Sequence, residues 1–209
     1  MISLTFQDTK FQAKFGAIIG KTKNPKAVLL NSGRELGNQL RAWFRQRDKT
    51  NVNRLSERRV HFWLQVAQSV NQPQMEGPTR VSVTISDPRF AQKLFGGTIT
   101  AKAAEALTIP VEERAYGRTA ATFERETGLK LILVKTGGSA ANTMENAVLA
   151  VADPNDPKRL TVEYVLTKSV NQQADPEALP PKAQLEAAIL SRAQRVLDRE
   201  TQNPTTTTE

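Results

Sequence analysis

At the start of the chain Ile2, Leu4 and Phe6 alternate with polar residues, which is the two-residue period of a short strand. The period then lengthens. Phe11, Phe15, Ile18 and Ile19 recur at steps of three and four behind Asp8, a residue suited to accept from the open amides of a first helical turn. Asn24-Pro25 repeats the start signal, with a cap followed by proline at the first helical position. The helix it opens runs to about Arg47 and places Leu29, Leu36, Leu40, Trp43 and Phe44 on one face. Gly33 and Gly37 interrupt it, each at a cost of up to about 1 kcal/mol against alanine, and mark close packing. A third helix is expected from about residue 56 to residue 70, with Ser56 as cap and Val60, Trp63, Leu64 and Ala67 as its buried stripe.

After "NQPQMEGP" the period returns to two, with Val81, Val83 and Ile85 on one face of a strand. Asp87-Pro88 starts a short helix through Phe90, Ala91 and Leu94, which Gly96-Gly97 stops. Strands follow near 98–101, 107–109, in "LKLILVK", at 147–151 and at 160–166, the last two joined by the turn "ADPNDPKR". Pro181 opens a last helix through Leu185, Ala188, Ile189, Ala193, Val196 and Leu197. Helices first, a mostly antiparallel sheet with long loops in the middle and one helix last describe an α+β fold. Because β-α-β units do not alternate, a doubly wound nucleotide fold is not expected. The reading is one domain over 1–200, with loops protruding near 112–128 and 167–181 and a polar tail at 201–209 of disordered composition.

Apolar residues make up only 39% of the 209, which points to long exposed segments or to surfaces that partner subunits cover. Without cysteine there is neither a disulfide nor a thiolate metal site. No run approaches the roughly 18 apolar residues of a membrane span, and the first residues lack a basic stretch leading into an apolar one, so a soluble, unexported chain without membrane contact is expected. The net charge of +8 is partly local. Between 41 and 59 lie Arg41, Arg45, Arg47, Lys49, Arg54, Arg58 and Arg59 against only Asp48 and Glu57. This corner reads either as a solvated helix–loop–helix surface or as a site for an anionic partner, DNA phosphate or an acidic protein face.

Candidate chemistry is sparse. His61 is the only histidine, it lies off the apolar stripe of its helix, and neither a His-rich metal motif nor a nucleophile elbow accompanies it. Asp153 and Asp156 in "ADPNDP" lack the spacing of a calcium loop and read as turn residues. In "KTGGSAAN" the lysine precedes Gly137-Gly138, the wrong order for a phosphate-binding loop. An enzyme is not expected, and no cofactor or metal.

Four stretches in fixed order, "NVNRLSERRVHFW", "DPRFAQKLFGGTITAKAAEALTIPVEERAYGR", "GLKLILVK" and "YVLTKSVNQQADPEALP", give the chain a likeness. It resembles the phage virion morphogenesis family, the tail-completion or head–tail joining proteins of Mu-like and related tailed phages. The resemblance covers most of the chain and is thinnest at the first helix and the threonine tail. It implies a structural part of the virion neck or top of the tail, present in the host cytoplasm during assembly. It also implies copies of the chain arranged in a ring, hexameric by family habit or twelvefold nearer the portal, against a tail tube or tail terminator and neighbouring neck or portal-adaptor proteins. No reaction and no cofactor come with it.

A ring subunit meets its neighbour through two different faces. The segment 93–118 and the polar excursion behind it offer Phe95, Arg114, Tyr116, Arg118 and Phe123 as subunit-interface candidates, since Tyr and Arg are favoured at contact hot spots. The competing reading of that excursion is an ordered surface loop supporting the sheet. The stretch 165–181 reads either as an arm along a neighbour's sheet edge or as a plain connector. Arg41, Arg45, Arg47, Arg54, Arg58 and Arg59 are the anionic-partner candidates, for an acidic neighbouring ring or non-specific contact with DNA in the channel. The alternative function is a DNA-binding accessory protein acting through that same 41–59 region.

Overall fold

A computed structural model describes residues 2–3, 8–51, 55, 60–102, 104–135, 147–156 and 158–202. In chain order the elements are β1 (Ile2–Ser3), α1 (Thr9–Ile19), α2 (Pro25–Thr50), α3 (Phe62–Gln68), β2 (Gln74–Met75), β3 (Val81–Ser82), β4 (Thr84–Ile85) and α4 (Pro88–Phe95). Then come β5 (Gly97–Thr100), β6 (Leu107–Pro110), a 3-10 turn (Glu113–Ala115), α5 (Ala120–Thr127), β7 (Ile132–Lys135), β8 (Ala147–Ala152), β9 (Leu160–Thr167), β10 (Ser169–Gln172) and α6 (Lys182–Gln202). The fold is α+β, with helices at both ends of the chain and antiparallel strands between them. Among the described residues no helix is long and apolar enough to cross a membrane. The chain divides into two compact units, one helical (Met1–Thr50, Phe62–Phe95 and Ala174–Glu209) and one built on strands (Asn51–His61 and Gly96–Gln173).

The helical unit follows its local signals closely. The Asp8 carboxylate accepts from the Phe11 amide at 2.9 Å and the Asn24 side chain from the Ala27 amide at 3.1 Å, so α1 and α2 begin where their caps lie. Val28, Leu29, Leu36, Leu40 and Phe44 form the buried stripe of α2, and α6 meets it with Leu185, Ile189, Ala193 and Leu197, each four residues from the last. Gly33 permits a close approach here. A Cβ at that position would stand 2.7 Å from Pro73 Cβ and 2.9 Å from Val81 Cγ2, so side chains flanking the β2–β3 hairpin rest directly on the helix backbone.

α3 is shorter than the expected span. It begins at Phe62, because Val60 and His61 are not helical, while Ser56 lies outside the described residues. Its buried positions are Trp63, Val66 and Ala67 and the stripe continues to Val70, whereas Leu64 is only half-buried. Asp48 at the end of α2 supplies a cap by accepting from the Leu64 amide at 3.2 Å. The expected strand around Val81–Ile85 divides into β3 and β4, which pair with different partners, β2 and β1. Leu4 and Phe6 lie outside the described residues. Asp87 opens α4 as expected, accepting from the Arg89 amide at 2.9 Å and from its guanidinium Nε at 3.0 Å.

In the other unit β6-β9-β8-β7 form a four-stranded antiparallel sheet and β10-β5 a two-stranded ribbon. The 153–159 turn is built as expected: Asp153 and Asp156 each accept from the amide two residues on, at 2.9 and 3.1 Å. Two expected loops are corrected. Residues 112–128 are not a free polar excursion. They hold the 3-10 turn and α5, which Thr119 caps and Gly128 ends at φ +72, and Ala115 and Phe123 anchor them fully buried. Residues 167–181 do not protrude throughout either. Ser169–Gln172 pair with β5 of the same chain, and further on Ala178 and Pro180 are buried. The polar tail also begins later, since α6 runs to Gln202; residues 203–209 lie outside the described residues.

Two measurements probe this packing. Gly33→Ala gains helix propensity of about 1 kcal/mol but forces the Cβ into Pro73 and Val81, so a net loss of about 1–2 kcal/mol is expected from urea midpoints. Gly16→Ala in α1 meets nothing within 4 Å and should instead raise stability by up to about 1 kcal/mol. The second concerns acid. Hydrogen bonds from the Arg89 side chain hold the buried Asp87 carboxyl below its usual range. A depressed folded value makes the carboxylate's contribution complete at neutral pH and removes it as pH falls through that value. Asp87→Asn should therefore cost about 1–2 kcal/mol at pH 7, with the gap to wild type closing as the wild-type carboxyl protonates in acid.

Candidate assembly surface

The surface begins with the two sides of the four-stranded sheet. Partners across an antiparallel ladder share a face, so each row can be read from its register. On one side Tyr164 lies opposite Leu149, with Val151 further along β8. This side is covered by Ala115, Phe123, Leu129 and Leu131, and the Phe123 and Tyr164 rings meet edge to face at 5.9 Å. The Tyr164 hydroxyl donates toward the Arg118 and Ala115 carbonyls at 3.3 and 3.4 Å, fastening the 115–118 backbone to the sheet. Burial, then the nearby Glu163 carboxylate, raises the Tyr164 pKa, which keeps this hydroxyl a donor.

The other side is apolar too. Ile109, Val165, Val148 and Val134 form one continuous row across all four strands, and Val162, Ala150 and Ile132 a second. This side is covered only in part: Ile132 is 44% exposed, Leu160 41% and Val165 37%, whereas Ile109, Val134, Val148 and Val162 are half-buried and Ala150 is buried. The ribbon is barer still. All four residues of β5 are exposed, Ile99 faces Val170 across the ladder, and no ribbon residue belongs to either described core cluster.

The interface candidates taken from the sequence separate into different roles. Phe95 is 71% exposed and Tyr116 half-buried. Phe123 is fully buried in its own unit, so as a contact residue it is corrected to a core residue. Arg114 is engaged internally: its Nε donates to the Glu163 carboxylate at 2.8 Å, its Nη2 donates to the same oxygen, and its guanidinium lies over the Phe123 ring. The Glu163 hydrogen bond raises the Arg114 pKa. Glu163 itself has no exposed surface and is the extra residue where the β8–β9 register shifts, a bulge that turns an acid into the interior. Arg118 pairs with Glu126 at 2.7 Å.

The basic corner is likewise reassigned in part. Arg41 folds back over Gly37 and donates to the Val70 carbonyl at 2.7 Å. Arg47 pairs with Asp175 at 2.8 Å, donates to the Glu177 carbonyl and stacks over Trp63 at 4.5 Å. Both are internal fasteners. Arg45 is exposed; Arg54, Arg58 and Arg59, like Gly137-Gly138, lie outside the described residues. Among the described residues no group of three or more His, Asp or Glu side chains comes together to hold a metal.

The open sheet side and the ribbon escaped the sequence reading. A signal existed in "AVLAVA", which is apolar at every position and so presents apolar side chains on both faces. No protein-family model, curated protein or solved structure matches the chain.

If Arg114 serves its own unit, Arg114→Met strands a buried carboxylate. A loss of about 2–3 kcal/mol in urea unfolding is expected, below the value for a fully buried pair because Arg114 is half exposed, and Glu163→Gln in the same background should recover most of it.

Proposed function

We propose that this chain is a structural subunit of a phage virion, acting at the head–tail junction as a joining or tail-completion component that works by ring assembly. The observation that carries the reading is the bare β5–β10 ribbon together with the open apolar side of the sheet. A two-stranded ribbon is marginal in water by itself, and its outer edges carry unpaired backbone donors and acceptors. Valine and isoleucine side chains left partly open on a sheet are the kind of surface that a neighbour covers. Both features suit a subunit whose packing is completed by copies of itself and by adjoining neck or tail proteins.

The ordered motifs that resemble the virion morphogenesis family point the same way. They supply the specific place: the neck or top of the tail, with a hexameric ring next to the tail tube or terminator. Catalysis has no part in this reading. The alternative, a DNA-binding accessory protein acting through 41–59, is weakened because Arg41 and Arg47 spend their guanidinium groups inside the helical unit.

Light scattering on the purified chain, alone and mixed with isolated tail tubes and neck proteins, tests the proposal. The wild type should assemble into a multiple of 23.1 kDa in at least one of these mixtures. Ile99→Arg with Val165→Arg, both at exposed positions, should abolish assembly while circular dichroism stays unchanged. A wild type that stays monomeric in every mixture would sink the proposal. A double variant that assembles normally would remove the ribbon and sheet face from it.

A further inference from the structure

A second concentration of positive charge lies in and behind the first helix. From residue 9 to residue 34 there are six cations, Lys10, Lys14, Lys21, Lys23, Lys26 and Arg34, and no acid. Two of them stand over a groove of about 500 Å³ between α1 and α6. Its lining is apolar at Ile18, Leu190 and Leu197 and polar at Ser191 and Gln194, with Lys14 and Lys21 on the α1 side. Both lysines are exposed, and neither side-chain ammonium makes a hydrogen bond or ion pair with any described residue.

The facing helix carries three acids, and none of them pairs with Lys14 or Lys21: Glu186 lies 3.5 Å from Lys182. Asp198 accepts from Gln194 at 2.7 Å, and Glu200 accepts from the Thr22 hydroxyl at 2.5 Å and the Lys23 amide at 3.2 Å. No carboxylate among the described residues pairs with the Lys14 or Lys21 ammonium, so both can take an anionic group from outside the chain.

We infer that the α1–α6 groove is a docking site for an acidic amphipathic segment of a partner protein, which lays an apolar stripe on Ile18 and Leu190 and sets carboxylates against Lys14 and Lys21. Lys14 lies on α1 and Lys21 just beyond its end, and both line the groove, so a helical partner would set acids on one face about two turns apart to meet them. A nucleic-acid backbone is satisfied by the lysines but makes no use of an apolar floor. The groove lies wholly in the helical unit and shares no residue with the ribbon or the sheet, so this inference and the assembly proposal stand or fall separately.

The test uses the full chain with methyl-labelled Ile and Leu, and three probes: a synthetic amphipathic helix of Leu and Glu with acids seven residues apart, its Lys-for-Glu counterpart, and a short DNA duplex. The Glu peptide should bind and shift the Ile18 and Leu190 methyl signals. Lys14→Glu with Lys21→Glu should weaken it about tenfold or more, and the Lys peptide should then bind the double variant better than the wild type. Both positions are exposed, so the variant should keep its fold, which circular dichroism checks. Failure of the Glu peptide to move either methyl at millimolar concentration, or equal affinity for wild type and variant, would overturn the inference. So would duplex DNA that needs both lysines, displaces the peptide and leaves Ile18 and Leu190 unshifted, since the lysines would then serve phosphate.

Discussion

Phe44 has no exposed surface, and the helical unit is organised around covering it. Trp63 from α3 stacks on it at 6.0 Å and Phe90 from α4 meets it edge-on at 5.3 Å, so three helices from separate parts of the sequence converge on one ring. The constraint extends outward through Arg47, one turn further along α2. Its guanidinium lies over the Trp63 ring and at the same time holds Asp175 and the Glu177 carbonyl, which fixes the segment leading into α6. Lys93 on α4 contributes a backbone bond from its carbonyl to the Asp175 amide at 3.0 Å. A single arginine between an aromatic ring and a carboxylate thus ties α2, α3 and the entry to α6 together, which is why a residue that looked like surface charge is structural.

The two units settle their apolar surface in different ways. In the helical unit the stripes of α2, α3 and α6 close on one another and leave shallow grooves beside α1. Among the described residues α5, the 3-10 turn and the Leu129–Leu131 stretch cover one side of the sheet. A core resting on Ala115, Phe123, Val151 and Tyr164 is small, and the ion pair of Arg114 with Glu163 and the Tyr164 hydroxyl add directional bonds where dispersion is thin. Such a unit has little to lose and much to gain from burying its second side against something else.

Local signals were legible in the sequence and distant partnerships were not. Asp8, Asn24-Pro25 and Asp87-Pro88 announce helix starts because a cap acts within three residues, and the four-residue rhythm of Leu185, Ile189, Ala193 and Leu197 announces a packed helix for the same local reason. α5 escaped because one buried ring in eight residues gives too little periodicity to separate from a polar loop, although Thr119 and Gly128 mark its ends. β5 was read as a strand but its partner β10 was not, since pairing Gly97 with Gln172 depends on the whole chain between them. Charge counting found the 41–59 cluster yet could not tell that Arg41 and Arg47 bond inward, because net charge records cations and not the carbonyls or rings that take them.

The division of the chain also sets an order of events during synthesis. The helical unit is interrupted: the run from Gly96 to Gln173 belongs to the other unit, and α6 arrives only after it. Until Leu185 and Ile189 leave the ribosome, the part of the α2 stripe that α6 covers has no partner, although α3 and α4 can already close on Phe44. The strand-built unit has nearly all its parts in one stretch and can close first. A chain cut short before residue 182 would therefore be expected to hold a finished sheet beside an open helical half, a species prone to clump rather than to wait.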